Sequence, residues 1–252
     1  MTAQNKVSFL ATGSEIVTGE IVNTNSQQMA QILFEHGILC GDHLIVDDEL
    51  ANLSTGLKFL ADRHRIVITT GGLGPTTDDR TRDVITAYFN QTLHFNEDSW
   101  NRIVKRLTER KRHIAESNRQ QAFFPEQASI IPNLNGTADA FYVQHEQQII
   151  IALPGPPNEC LPIFKDTILP LLINQTGLRQ EGRLYRWTVT GVPEATIGEL
   201  LKTRVALPYG REIAYRAASP VIHIKIFLHD NDELKDTLIT LIESIVGEYL
   251  VK

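Results

Sequence analysis

Short aliphatic and β-branched runs alternate with amphipathic stretches over the first two thirds of the chain. Val7 to Leu10, Ile38 to Val46, Ile66 to Thr70 and Ile149 to Leu153 read as strands, and the last two are continuous enough for burial. Between them, apolar positions recur at helical spacing. One such stretch runs through Gln28, Met29, Ile32 and Leu33 and stops at Gly37; another carries Leu53, Leu57 and Leu60. A third follows Asp83 to about Asn90, and a fourth spans Glu97 to His113 through Trp100, Ile103, Val104 and Leu107. Strand and helix in alternation predict an α/β domain: a mostly parallel sheet with helices on both faces. Ile130-Ile131, and a hairpin from Phe141-Val143 to Ile149-Leu153, predict edge strands. Beyond the polar Gln175 to Gly182 the pattern becomes strand (Leu184 to Thr190), helix (Pro193 to Arg204), two strands (Glu212 to Arg216, Val221 to Leu228) and helix (Leu234 to Leu250). That order predicts a small α+β domain, with expected boundaries of 1–174 and 180–252.

The candidate chemistry lies where strands give way to helices. Ile66 to Thr70 breaks into Gly71-Gly72-Leu73-Gly74-Pro75-Thr76-Thr77-Asp78-Asp79 before Thr81-Arg82-Asp83. A loop between a parallel strand's carboxyl end and a helix offers backbone N–H groups and a positive helix end, which suit phosphate. Asp78 and Asp79 repel a bare phosphate unless a cation lies between, so phosphate with a divalent metal is the simplest chemistry that wants both features. Three further loops are expected at the same edge. One is the polar, glycine-bracketed Gly13 to Asn25; one is Asp47-Asp48-Glu49; one is Pro154-Gly155-Pro156-Pro157-Asn158-Glu159. Taken singly, each is equally a helix entrance: glycines for positive φ, proline for stiffness, Asp, Asn or Ser as N-cap. The basic run Lys105 to His113 is a solvated helix face or a steering rim for an anion.

With 252 residues and 42% hydrophobic content the chain can bury a substantial core, and a net charge of -6 argues against a nucleic-acid-coating surface. Cys40 and Cys160 stand apart without metal-binding spacing, as free thiols do in a reducing compartment. No apolar run reaches bilayer length, so a soluble cytoplasmic protein is expected.

Five motifs in order now carry a resemblance. They are Thr12-Gly13-Ser14-Glu15 with Gly19 to Asn25; Thr70 to Asp79 with Thr81-Arg82; Asn118-Arg119 with Gln121-Ala122; Gly136-Thr137-Ala138; and Leu153 to Pro157 with Glu159. Together they resemble the competence/damage-inducible CinA family. The first 170 or so residues are similar to its molybdopterin-binding-like domain, a fold shared with MogA and MoaB, and the remainder resembles its small KH-type α+β domain. The resemblance implies a homodimeric hydrolase that cleaves ADP-ribose, a small-molecule nucleotide substrate, to AMP and ribose 5-phosphate with a divalent metal (Mg2+, Co2+ or Mn2+). Membrane and nucleic-acid partners are not expected. Residue by residue, it implies that Gly71, Gly72, Gly74 and Thr76 cradle phosphate. Asp79 and Asp78 become the catalytic carboxylates and, with Glu15 and Asp47, the metal ligands. Gly13, Asn23, Asn25, Asn118, Arg119, Pro154 and Gly155 hold the nucleotide. The alternatives are a non-catalytic nucleotide- or molybdopterin-binding module and an adenylyltransferase acting on molybdopterin. Two departures matter. Gln120 replaces the lysine of the family's Asn-Arg-Lys-Gln-Ala motif, exchanging a cation for a neutral donor. Many members also carry a C-terminal nicotinamide mononucleotide deamidase domain; this chain stops at Lys252, and that activity is not carried over.

Overall fold

The structure is a computed structural model that describes residues 6–175, 182–207 and 212–251. It divides into two compact units, Met1–Leu33 with Ile38–Leu178, and Phe34–Gly37 with Arg179–Lys252.

The first unit is built on a six-stranded sheet. Its strands are β1 (Val7–Thr12), β2 (Cys40–Val46), β3 (Ile66–Thr70), β6 (Ser129–Ile131), β7 (Ala140–His145) and β8 (Gln148–Leu153), in the order β2-β1-β3-β8-β7-β6. β2, β1, β3 and β8 run parallel, and β7 and β6 are antiparallel to their neighbours. The hairpin expected at an edge instead places β8 inside the sheet, paired with β3, so that only β6 is an edge strand on this side. Its Ile149-Ile150-Ile151 run is apolar on both faces because both are covered.

Two buried clusters flank the sheet. On one face α2 (Thr24–Glu35) and the helix beginning at α6 (Pro157–Ile163) bring Met29, Leu33, Cys160 and Phe164 onto Phe9, Ile68 and Ile151. On the other, α3 (Leu50–Ala61) and α4 (Thr81–Tyr88) bring Leu53, Leu57 and Ile85 onto Leu10, Val67 and Ile150. The α6 helix passes through a π turn at Phe164–Ile168 into α7 (Leu169–Gln175), and Pro162 lies just before that turn. A short ribbon of β4 (Leu93–Phe95) and β5 (Phe123–Pro125) and the helix α5 (Glu97–Glu109) complete the unit.

The second unit has an antiparallel sheet, β10-β11-β9, made of β9 (Gly182–Thr190), β10 (Ala214–Ala218) and β11 (Val221–His229), with helices α8 (Glu194–Arg204) and α9 (Lys235–Val246). β11 alternates strictly: Ile222, Ile224, Ile226 and Leu228 are buried against Leu201, Leu238 and Ile242, while the residues between them are only partly covered. Residues 176–181 of the polar linker, and Arg211 among the basic residues of this unit, lie outside the described residues.

Candidate functional site

Because β1, β3 and β8 are parallel neighbours, their carboxyl ends emerge together and their loops converge. They enclose a cleft of about 520 Å³ lined by Gly13, Glu15, Asn23, Asn25, Gly71, Gly72, Gly74, Asp78, Asp79, Pro154 and Gly155 among others. Five carboxylates line it, Glu15, Asp48, Asp78, Asp79 and Glu159, and no Lys, Arg or His does so among the described residues.

The loop after β3 is held from all sides. Gly71 and Gly72 take φ of 98° and 65°, and a Cβ at Gly71 would stand 2.5 Å from the Thr12 carbonyl oxygen. The Thr81 hydroxyl donates to the Gly71 carbonyl (2.8 Å), and the buried Arg82 guanidinium donates to the carbonyls of Leu73 and Gly74, both at 2.8 Å. Burial lowers the Arg82 pKa to about 10, which leaves it a cation at neutral pH. Asp79 turns inward. Its Oδ1 accepts from the Gly74 amide (2.7 Å), and its Oδ2 accepts from the Thr76 amide (2.8 Å) and hydroxyl (2.5 Å). The amides of Gly74 and Thr76 are therefore already engaged, and Thr76 itself does not line the cleft. Asp78 is exposed beside them, and a share of the Thr76 hydroxyl that Asp79 also accepts, followed by its own backbone amide, holds its carboxyl below the usual range.

The acidic triplet after β2 divides its tasks. Asp47 accepts from Asn52 (2.9 and 3.0 Å) and from the Glu49 amide at the start of α3, and it does not line the cleft. Asp48 does; its oxygens accept from the Thr12 hydroxyl (2.9 Å) and from the Ser14 amide and hydroxyl (2.9 and 3.1 Å). Glu15 sits exposed in the one-turn helix α1 (Ser14–Val17).

Asn23 caps α2 through Ser26, whose amide it accepts at 3.2 Å. Asn25, 7% exposed, donates to the Gly155 carbonyl (2.7 Å), and its Oδ1 has no hydrogen-bond partner among the described residues. Asn118 and Arg119 stand off the cleft. Asn118 accepts from the Ala115 amide, and the Arg119 guanidinium lies 4.6 Å from the centre of the Phe95 ring, beside Trp100. The next two residues of that motif face the glycine loop instead. Gln120 donates to the Thr76 carbonyl (2.7 Å) and, at 3.2 Å, to that of Gly74. Gln121 lines the cleft, donates to the Thr137 hydroxyl (3.2 Å), and keeps a buried Oε1 without a partner among the described residues. From the basic run along and just past α5, Arg106 and Arg110 donate to the carbonyls of Leu134 and Asn135 and so brace the loop next to Thr137. Asp48, Gln121, Thr137 and the exposed Ile21 and Val22 are cleft residues that sequence patterning did not single out as ligand contacts.

The donor set is oxygen throughout, as hard divalent cations prefer. No group of three or more His, Cys, Asp or Glu is gathered into a cation cage among the described residues. No helix there is long and apolar enough to cross a membrane. Cys160 is a free thiol, and burial pushes its pKa up to about 12.

A family model described as "Probable molybdopterin binding domain" matches residues 8–174. A putative competence-damage inducible protein of Clostridium botulinum is 34% identical over 97% of this chain and 60% of its own length. A CinA-like protein of Geobacter metallireducens is 33% identical over 90% of this chain and 55% of its own. The chain thus spans little more than half the length of these relatives. Among solved structures, a CinA protein of unknown function from Thermoplasma acidophilum matches 68% of this chain and 99% of its own with 26% identity and a TM-score of 0.61. The chain belongs to the family of probable molybdopterin binding domains, and its relatives there are the CinA-like, competence-damage inducible proteins.

Proposed function

We propose that the cleft binds a phosphorylated ligand of the nucleotide or molybdopterin class, whose phosphate arrives together with a divalent cation. The supporting observation is the lining itself: glycine-loop backbone and five carboxylates, with no basic side chain among the described residues. Phosphate against such a wall is repelled unless a cation lies between. Glu15 and Asp78, both exposed and on the lining, would hold that cation. A small divalent ion is commonly bound by one or two carboxylates plus the phosphates of its ligand, so two carboxylates without a preformed cage among the described residues suit it. When bound, such an ion neutralises phosphate charge and polarises the anhydride. The protein's own part is orientation. Arg82 and Gln120 draw the loop carbonyls away from the ligand side, Asn25 fixes the Gly155 loop, and Ile21 and Val22 (51% and 80% exposed) offer an apolar flank to a flat ring. The family model's description supports a pterin as one such ring. Titration calorimetry with ADP-ribose, AMP and molybdopterin, each with and without Mg2+, tests the reading. Cation-dependent binding of at least one is expected, and no binding by any of them sinks it.

A second reading adds turnover: hydrolysis of ADP-ribose to AMP and ribose 5-phosphate. Its support is that Glu15 and Asp78, both exposed carboxylates, line the cleft beside the glycine loop, where a cation bound to the anhydride would lie. Purified protein with ADP-ribose and Mg2+, Co2+ or Mn2+ should release AMP; binding without AMP under every metal would leave a binding module. For the second unit we propose a KH-type module that serves dimerisation, since its β-α-β-β-α order fits and its sequence has no Gly-x-x-Gly loop for RNA. Light scattering on the whole chain, expected to give twice the 28.3 kDa monomer mass, checks this.

A further inference from the structure

We propose that Glu159 is the carboxylate through which this cleft reads the uncharged part of its ligand, a pair of adjacent O–H or N–H donors, and that Asn133 is the residue that positions it. This rests on the ligand-binding reading above. The five carboxylates of the cleft differ in how their oxygens are occupied. Asp48 and Asp79 have both oxygens engaged by nearby hydroxyls and amides, and Glu15 and Asp78 are exposed, neither clamped by a buried side chain among the described residues. Glu159 differs from all four. Its Oε2 accepts from the Asn133 side-chain amide at 2.7 Å, while Oε1 takes no hydrogen bond from the described residues. It is both oriented and half available.

The mount is stiff. Asn133 is 3% exposed, and its backbone amide and both polar atoms of its side chain are all engaged. Its Nδ2 also donates to the Ala138 carbonyl (2.9 Å), its Oδ1 accepts from the amides of Asn135 (2.9 Å) and Gly136 (2.8 Å), and its own amide donates to Asp139 (2.8 Å). Asp139, equally buried, is held by the Ser99 hydroxyl (2.8 Å) and by the Arg102 guanidinium. Asn133 cannot turn without breaking this network. Gly136 leaves the space the carboxylate occupies, since a Cβ there would lie 1.7 Å from Glu159 Oε2. Nearby, Gln121 donates to Thr137 and keeps a buried side-chain oxygen that has no partner among the described residues.

A carboxylate with one oxygen clamped presents the other in a fixed direction. Beside it, phosphate is repelled and hydrogen-bond donors are favoured. An acidic side chain on ribose hydroxyls is a recurring solution in nucleotide sites. The vicinal diol of a ribose and the amino-amide edge of a pterin both supply such paired donors. A site built on a buried or clamped acceptor also discriminates, because a ligand lacking the donor leaves that acceptor unpaired.

Calorimetry with AMP and 2′,3′-dideoxy-AMP, each with Mg2+, on the whole chain tests the proposal. For the parent protein AMP is expected to bind about tenfold more tightly than its dideoxy analogue. In Glu159→Gln the AMP affinity should fall by about tenfold and the dideoxy affinity should stay within about twofold, so that discrimination disappears. Glu159→Asp keeps the charge but shortens the reach to Asn133, and it should lose discrimination to a similar degree. That result shows that the place of the carboxylate, and not its charge alone, carries the discrimination, and it leaves the buried Asn133 intact. If the parent binds AMP and its dideoxy analogue equally, molybdopterin becomes the probe, and about tenfold weaker binding by Glu159→Gln marks the pterin edge as the donor source. Equal weakening of AMP and dideoxy-AMP by Glu159→Gln would assign Glu159 to the cation and overturn the proposal. Unchanged binding of every ligand would overturn it too. Should the parent bind none of these ligands, the reading of the cleft fails first and this one with it.

Discussion

Two loops leave neighbouring parallel strands and enter helices at the same sheet edge, yet they are stiffened by opposite means. The loop after β3 relies on glycines at positive φ and on side chains folded back onto its own backbone: Asp79, Thr81, Arg82 and Gln120 together engage the amides of Gly74 and Thr76 and the carbonyls of residues 71, 73, 74 and 76. The loop after β8 is stiffened by the rings of Pro154, Pro156 and Pro157, with bonds from Asn25 to the Gly155 carbonyl and from Asn135 to the Asn158 carbonyl. Its Gly155 has no positive φ, and a Cβ there would meet only the Gly71 Cα at 3.6 Å. A loop stiffened by covalent rings need not spend its acid on its own backbone, so Glu159 keeps one oxygen for a ligand, whereas Asp79 spends both on the loop it holds. Hence Glu159 and Asp79, both acids near a loop's end, have different prospects.

The largest effect should come from Gly71→Ala. It forces a non-glycine residue to positive φ and drives a methyl into the Thr12 carbonyl, costing about 3 kcal/mol or more by denaturant unfolding. Gly155→Ala should stay within about 0.5 kcal/mol of the parent. Equal losses at the two sites would erase the contrast. Asp79→Ala comes next, at about 2 kcal/mol, because two loop amides lose their acceptor. An unchanged unfolding midpoint would show that other groups hold the loop and would return Asp79 to the ligand side. Pro157→Ala should cost only about 0.5 kcal/mol, through greater freedom of the unfolded chain. A loss above that of Asp79→Ala would mean that the rings do more than stiffen.

The smallest effect concerns Asp78. A carboxyl whose folded-state pKa lies below its ordinary value of 3.8 adds stability that is present above that value and lost as pH falls through the folded-state pKa. Asp78→Asn should therefore lie slightly below the parent at neutral pH and converge with it in acid. Parallel curves down to strong acid would remove the Thr76 contact from the account.

Much of the fold was legible because its signals are local. The aliphatic runs at Ile66 to Thr70 and Ile149 to Leu153 became neighbouring buried strands, and Gly37 ends its helix with φ of 74°. The hairpin was legible as a hairpin, but β8 was expected at an edge. Its partner β3 lies some eighty residues earlier, and no short-range pattern reports such a pairing. The site was legible as a set of loops and less so as a set of atoms. Asp47 and Asp48 differ only in which neighbours reach them, Asn52 for one and Thr12 with Ser14 for the other. In the Asn118 to Gln121 motif, Arg119 turned to aromatic rings and the two glutamines to the glycine loop, because a tight 3-10 turn spreads successive side chains to different sides.

By itself, then, the sequence determined the alternation of strand and helix, the glycine and proline positions that break each strand, and a cleft edge rich in carboxylates. Those follow from hydrophobic period and backbone stereochemistry, which act within a few residues. Tertiary structure alone decided which carboxylates are engaged and which face the cleft. The deciding hydrogen bonds join distant segments: Asn25 to Gly155, Gln120 to Thr76, and Asn133 to Glu159. An acid's availability depends on whether a donor from elsewhere in the chain arrives beside it, and that is settled only when the loops pack.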